Sequence, residues 1–139
     1  VGRERRSREL KANIGEYLRK VSQVEPPDFT QTRRMGKRII ADGKEFPFHL
    51  NTFAWEILTG KGIIYLDRVL AERATLVANE VTEWSLPALI DTHARALFDG
   101  GRPQEAMDYQ RKAIELADPA EQPRLEKTLK EYQRGEVSH

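Results

Sequence analysis

The sequence predicts an all-α chain of about seven helices folded as stacked antiparallel hairpins. Three observations predict this class. Apolar residues recur at helical spacing, most clearly at Leu86, Leu89, Ile90, His93, Ala94, Leu97 and Phe98, one stripe on a helix of ~3.6 residues per turn. Proline and glycine punctuate the pattern at hairpin intervals, as at Gly100-Gly101 and Pro103. Sliding the sequence by 35 residues lays Trp55 on Ile90, Leu58 on His93, Ala71 on Ala106, Ala78 on Ala113, Glu80 on Glu115 and Val81 on Leu116. Such a period marks a repeated helical hairpin.

The elements follow in order. Leu10, Ile14, Tyr17, Leu18 and Val21 make a first amphipathic helix, with Ser7 as its expected N-cap. Pro26-Pro27 stiffens the connector after it. Thr30 or Thr32 is the expected cap of a second helix that buries Met35, Ile39 and Ile40 and stops at Asp42-Gly43. A linker, 44–48, leads to a third helix burying Leu50, Phe53, Ala54, Trp55, Ile57 and Leu58 and ending near Thr59, with Gly60-Lys61-Gly62 as loop. The fourth helix is expected over 65–82, with Leu66, Val69, Leu70, Ala74, Val77, Ala78 and Val81 inward.

The stripe from Leu86 to Phe98 is the fifth helix, and Trp84 is expected to staple over Leu89 at its entry. Gly100-Gly101 ends it, because glycine takes the left-handed conformation past a helix end without a Cβ penalty. Pro103 opens the sixth, which carries Ala106, Tyr109, Gln110, Ala113, Ile114 and Ala117 on one face. Small residues at Ala94, Ala106 and Ala113 suit a close helix pair. Asp118, Pro119 and Glu121 read as N-cap, N1 and N3 of a seventh helix, 121–134, with Leu125, Leu129 and Tyr132 on its apolar side.

Residues 51–119 resemble the tetratricopeptide repeat. Trp55, Ala94, Gly101, Ala71 with Ala106, Ala78 with Ala113, and Pro119 occupy that family's aromatic, small-residue, hairpin-glycine and closing-proline places. His93 departs from the usual leucine, and Gln110 from the usual large apolar residue. The order of the repeats is similar to C-terminal domains of larger bacterial proteins, thioredoxin-like ones among them. The resemblance implies one domain, 1–139: a divergent helical pair over 1–46, two repeats over 47–119, and a capping helix with tail over 120–139, coiled as a right-handed α-solenoid.

Charged residues make up 32% and apolar residues 39% of the 139, the balance of a soluble helical domain with a modest core. No apolar run approaches the ~20 residues of a membrane span, and no signal-peptide pattern opens the chain. Its start at Val1 suggests a processed form or an excised piece, and no compartment follows from it. The absence of cysteine removes disulfides, thiolate metal sites and cysteine nucleophiles from this chain. Residues 1–50 carry 12 cationic and 7 acidic side chains, a net +5, against a net −4 for the remainder. Arg3, Arg5 and Arg6, then Arg33, Arg34, Lys37 and Arg38, concentrate the positive charge. Interleaved glutamates and the lack of any zinc or RNA-sheet pattern disfavour nucleic acid as partner and favour solvated helix faces.

Catalytic, metal and cofactor chemistry find no motif. His49, His93 and His139 are far apart in sequence, and His93 on the apolar stripe is expected to be a core histidine. Thr59-Gly60-Lys61-Gly62 lacks the glycine and Ser/Thr spacing of a phosphate loop. What the resemblance implies instead is a concave groove lined by Phe53 and Glu56 in the first repeat and by Ala88, Asp91, Arg95, Phe98 and Asp99 in the second. Glu56 and Asp91 stand where a carboxylate-binding clamp would need cations, so a basic or mixed-charge peptide is the expected ligand. The expected function is a non-catalytic interaction module for a protein or peptide partner, a second copy of the chain included. The alternative is an accessory or dimerisation domain of a larger enzyme such as a thioredoxin-like protein.

Overall fold

The computed structural model describes residues 1–137; His139 lies outside the described residues. Seven α-helices carry the described chain: α1 (Gly2–Val21), α2 (Phe29–Asp42), α3 (Pro47–Thr59), α4 (Arg68–Val81), α5 (Pro87–Asp99), α6 (Pro103–Leu116) and α7 (Gln122–Arg134). A 3-10 turn, Gly43–Glu45, links α2 to α3. The all-α class is as the periodicity predicted. None of these helices is long and apolar enough to cross a membrane.

Local chemistry sets the boundaries, in places differently from expectation. α1 starts at Gly2, five residues before Ser7, whose hydroxyl lies 2.9 Å from His49 Nε2 instead of capping. Asp28, held extended after the two prolines, caps α2 by accepting from the backbone N–H groups of Thr30 and Gln31 at 3.0 and 3.2 Å. Thr30 and Thr32 therefore do not cap it; a carboxylate out-competes a hydroxyl placed one turn late. Pro47 shortens the expected linker by opening α3 at its first turn, as Pro87 and Pro103 open α5 and α6. Asp67 caps α4 through the Leu70 N–H, so that helix begins three residues after its expected start at 65. Gly101, at φ +80°, supplies the predicted left-handed residue after α5. α7 begins at Gln122 with Glu121 at its N-cap, while Asp118 accepts through its backbone carbonyl only. Glu83 and Trp84, both at φ near +57° without being glycine, turn the chain between α4 and α5.

Consecutive helices pack on one another from α3 to α7, and α1 packs on α2. Across these pairs, α1 touches α3 and α3 touches α5, while α2 touches α4. Alanines fully removed from solvent make the close approaches: Ala54, Ala71, Ala74 and Ala78 around α3 and α4, Ala94, Ala106 and Ala113 around α5 and α6. Gly36 does the same between α2 and α4, since a Cβ there would sit 2.8 Å from Leu70 Cδ2.

The two central hairpins are more alike than the 35-residue shift suggests. α3 and α5 each have 13 residues and a proline in the first turn; α4 and α6 each have 14. The second helices match at a shift of 35, but the first helices match at 40. Leu50, Phe53, Ala54 and Ile57 then coincide with Ile90, His93, Ala94 and Leu97, all eight buried. The difference is the hairpin loop, eight residues at 60–67 against three at 100–102. Trp55 is accordingly the partner of Arg95, not of Ile90, and it is 39% exposed instead of buried. The same geometry leaves Leu66, Val69 and Val81 in solvent, against the inward positions expected of them.

Burial ranks Phe53 and Trp55 of α3. Phe53→Ala should cost about 3–5 kcal/mol, because its ring is wholly enclosed and meets Tyr17 edge-on at 5.3 Å. Trp55→Ala should cost only about 1–2 kcal/mol, since part of that surface stays wet. Urea midpoints for the two variants check the order, and a costlier Trp55→Ala would contradict this burial.

Candidate functional site

α5 is buried nearly all round, with residues 92–97 enclosed by its neighbours. Asp91, Arg95 and Asp99 fall on one side of it, a turn apart. Arg95 is only 4% exposed. Its Nε donates to both oxygens of Asp99 at 3.0 Å, and its guanidinium lies 5.7 Å from the Trp55 ring centroid on α3. Asp91 accepts from Gln110 Nε2 at 2.9 Å and faces Arg124 at 3.5 Å. Phe98 stacks on Tyr132 with centroids 4.6 Å apart. Tyr132 is itself buried, and this burial pushes its hydroxyl well above the ordinary tyrosine value, with Asp91 adding to the shift.

The seven residues expected to line a groove therefore divide. Phe53 is sealed in the core and cannot touch a partner. Arg95 is a buried counter-ion to Asp99, and Phe98 is covered in part by the closing helix. Asp91 and Asp99 are half-buried and engaged within the chain. Glu56 is exposed, and so is Ala88. The structure brings Asp91, Arg95, Phe98 and Asp99 together under α7, through Gln110, Arg124 and Tyr132, which sequence reasoning did not place there. Trp55 was misplaced by it as well. The signal that locates Trp55 is the 40-residue spacing of Pro47 and Pro87, each the first residue of its helix.

His93 is the other chemically distinctive residue. Its Nδ1 lies 2.8 Å from Thr75 Oγ1, and its ring sits edge-on to Trp84 and to Tyr109, with centroids 5.3 and 4.8 Å away. Trp84 stacks on Tyr109 at 5.1 Å and so closes over His93, not over Leu89 as its sequence position suggested. Burial lowers the His93 pKa to about 4, with Glu72 and Glu105 opposing weakly and Arg102 reinforcing. A ring held neutral by burial and bonded to a neighbour is a packing histidine, in line with its place on the apolar stripe. Among the described residues no group of three or more His, Asp and Glu is placed to hold a metal ion.

Comparison with protein-family models, with curated proteins and with solved structures returns no match to this chain. Its function is inferred from geometry and chemistry alone.

Two outcomes follow from these environments. An unfolded histidine titrates near 6.5, whereas His93 in the fold titrates near 4. As pH falls through that window the unfolded chain takes up a proton that the folded chain refuses. Stability present above pH 6.5 should thus decline by about 3 kcal/mol toward pH 4, and His93→Leu should flatten the decline in a pH series of denaturation midpoints. Asp99→Ala should cost about 1.5–3 kcal/mol, the range for hydrogen bonds to a charged group, because Arg95 Nε loses both carboxylate oxygens. Thermal unfolding of Asp99→Ala beside the exposed control Glu56→Ala checks this; equal melting would contradict the burial of Arg95.

Proposed function

We propose that the chain is a non-catalytic interaction module, a tetratricopeptide-like right-handed stack of helical hairpins closed by α7, which binds a protein or peptide partner across α3 and α5. Trp55 is the observation that carries this reading. It is the largest aromatic of α3, yet 39% of it faces solvent, braced from beneath by Arg95. A half-exposed indole held in place has little entropy left to lose, and tryptophan dominates the binding energy of many interfaces. Glu56, next to it in the chain, is exposed, and the acidic Asp91 and Asp99 flank Arg95 on α5. The open face of Trp55 suits a Lys or Arg side chain through its π-cloud, with Glu56 as the free carboxylate nearest in sequence. Asp91 and Asp99 supply background potential, since both are committed to partners within the chain.

The test is a titration of Lys- and Arg-containing peptides, chosen from a randomised array, against wild type, Trp55→Ala and Glu56→Lys. Trp55→Ala should weaken the best binder at least about tenfold, or ~1.4 kcal/mol. Glu56→Lys should slow association and lessen its salt dependence. Peptides that bind both variants as they bind wild type would remove this face from consideration.

A further inference from the structure

The five extra residues in the α3–α4 loop build a second surface. Ile64 and Tyr65 both donate their backbone N–H to the Val21 carbonyl, at 2.9 and 3.0 Å, and the Tyr65 hydroxyl donates to the Val24 carbonyl at 2.6 Å. These bonds tie the loop to the end of α1 and fix its alternation: Ile63 and Tyr65 pack toward the core, while Ile64 and Leu66 face out. Phe29, at the first turn of α2, meets Tyr65 edge-on at 5.6 Å. Between α2, this loop and the start of α4 opens a hollow of about 620 Å³, with Phe29, Ile64, Leu66 and Val69 on its apolar wall. Val69 is 72% exposed, as much in solvent as a charged side chain would be. The hollow continues into a smaller one of about 140 Å³ between α2 and α4, sharing Arg33, Asp67 and Val69 with it.

The rim is cationic. Arg33 and Arg68 border the first hollow, Lys37 and Arg73 the second. None of the four has a carboxylate partner among the described residues, whereas Arg6, Arg19, Arg38, Arg102, Arg111 and Arg124 elsewhere are all paired. The one carboxylate lining these hollows, Asp67, is spent on capping α4, and Asp28, next to Phe29 in the chain, on capping α2. Exposed apolar side chains on a tethered loop, ringed by unpaired cations, ask for an occupant with apolar side chains and flanking carboxylates. A concave floor accepts side chains; it does not offer the stacking platforms of a single-strand binder or the protruding apolar face of a membrane-surface helix.

We infer that the groove between α2, the 60–67 loop and α4 docks an acidic amphipathic segment of a protein partner. This surface is distinct from the Trp55 face, and the two reject each other's ligands by charge. The groove takes the segment's apolar residues on Phe29, Ile64, Leu66 and Val69, while Arg33, Lys37, Arg68 and Arg73 pair with its carboxylates.

The experiment titrates the chain with a panel of synthetic helical peptides, each with leucines at i, i+4, i+7 and i+11 in one of several registers and glutamates between them. Controls are the same peptides with lysine for glutamate, phosphatidylserine vesicles and a single-stranded oligonucleotide. At least one glutamate peptide should saturate, perturbing the methyl resonances of Ile64, Leu66 and Val69, and its affinity should fall as salt rises. Val69→Asp, and separately the pair Arg33→Glu and Lys37→Glu, should each weaken it at least about tenfold. All three substitutions are at exposed positions, and unchanged circular-dichroism melting certifies that the variants fold. Failure of every glutamate peptide to saturate overturns the proposal, as does equal binding of the lysine series. Binding of vesicles or oligonucleotide in place of peptide assigns the groove to another class of partner and also overturns it.

Discussion

Helices that meet through alanines are free to slide, so something other than shape must fix their register, and here it is a small set of buried polar side chains. Asn79 on α4 donates to the Thr75 carbonyl of its own helix and to the Leu89 carbonyl of α5, each at 2.9 Å. Thr75 reaches His93 on the same neighbour. Gln110, 35 residues after Thr75 and at the same place in its hairpin, donates to Asp91 on α5 and to the Leu125 carbonyl on α7. Each second helix is thereby pinned to the first helix of the next unit. A slip of one residue would bury these groups without partners, at about 1–3 kcal/mol each, while changing the apolar contact little. The positions of Trp55, the α5 charges and the 60–67 loop all depend on that register.

The sequence made the helix count, the proline start of α6 and the alanine crossings legible, because each rests on short-range chemistry. It misled where a single shift was imposed on both halves of the hairpin. Ala71, Ala78, Ala106 and Ala113 set the period at 35, and this is right for α4 and α6. The same shift carried back into α3 crosses the longer loop and turns Trp55 inward by error. Loop length is a surface property that core periodicity does not encode. The caps failed for local reasons: Asp28 has Thr30 and Thr32 close behind it as rival candidates, and Asp67 was passed over because the apolar pattern was carried back to Tyr65. Of the candidate site, the charged alternation of Asp91, Arg95 and Asp99 was visible, but not its burial. That comes from Tyr132 and Gln110, which approach from helices far along the chain.

The uneven charge of the two halves also has a structural resolution. In the acidic half, Glu72, Asp91, Asp99, Glu105 and Asp108 are bound to arginines or amides of the same half, so their charge is largely used within the fold. In the basic half, Arg6, Arg19 and Arg38 are paired in the same way. Most cations of that half outside ion pairs divide between α1, with Arg3, Arg8 and Lys11, and α2, with Arg33, Arg34 and Lys37, and α4 adds Arg68 and Arg73 from the other half. Net charge by segment thus says little; the distribution of unpaired charge says where a partner would feel a field.

The turn at Glu83 and Trp84 bears on how the chain reaches this state. Two successive side chains in the left-handed region cost about 1–2 kcal/mol apiece. A turn made of glycine would be stable as soon as its helices formed. This one is held by the stacking of Trp84 on Tyr109, and Tyr109 belongs to α6, the far arm of the second hairpin. Until α6 arrives, the junction has its backbone bonds and the Asn79 and Thr75 contacts to α5, but it lacks the Tyr109 ring on which Trp84 stacks. The bend between the two hairpins is therefore completed only when α6 packs, which couples α4 and α5 to the far arm of the second hairpin.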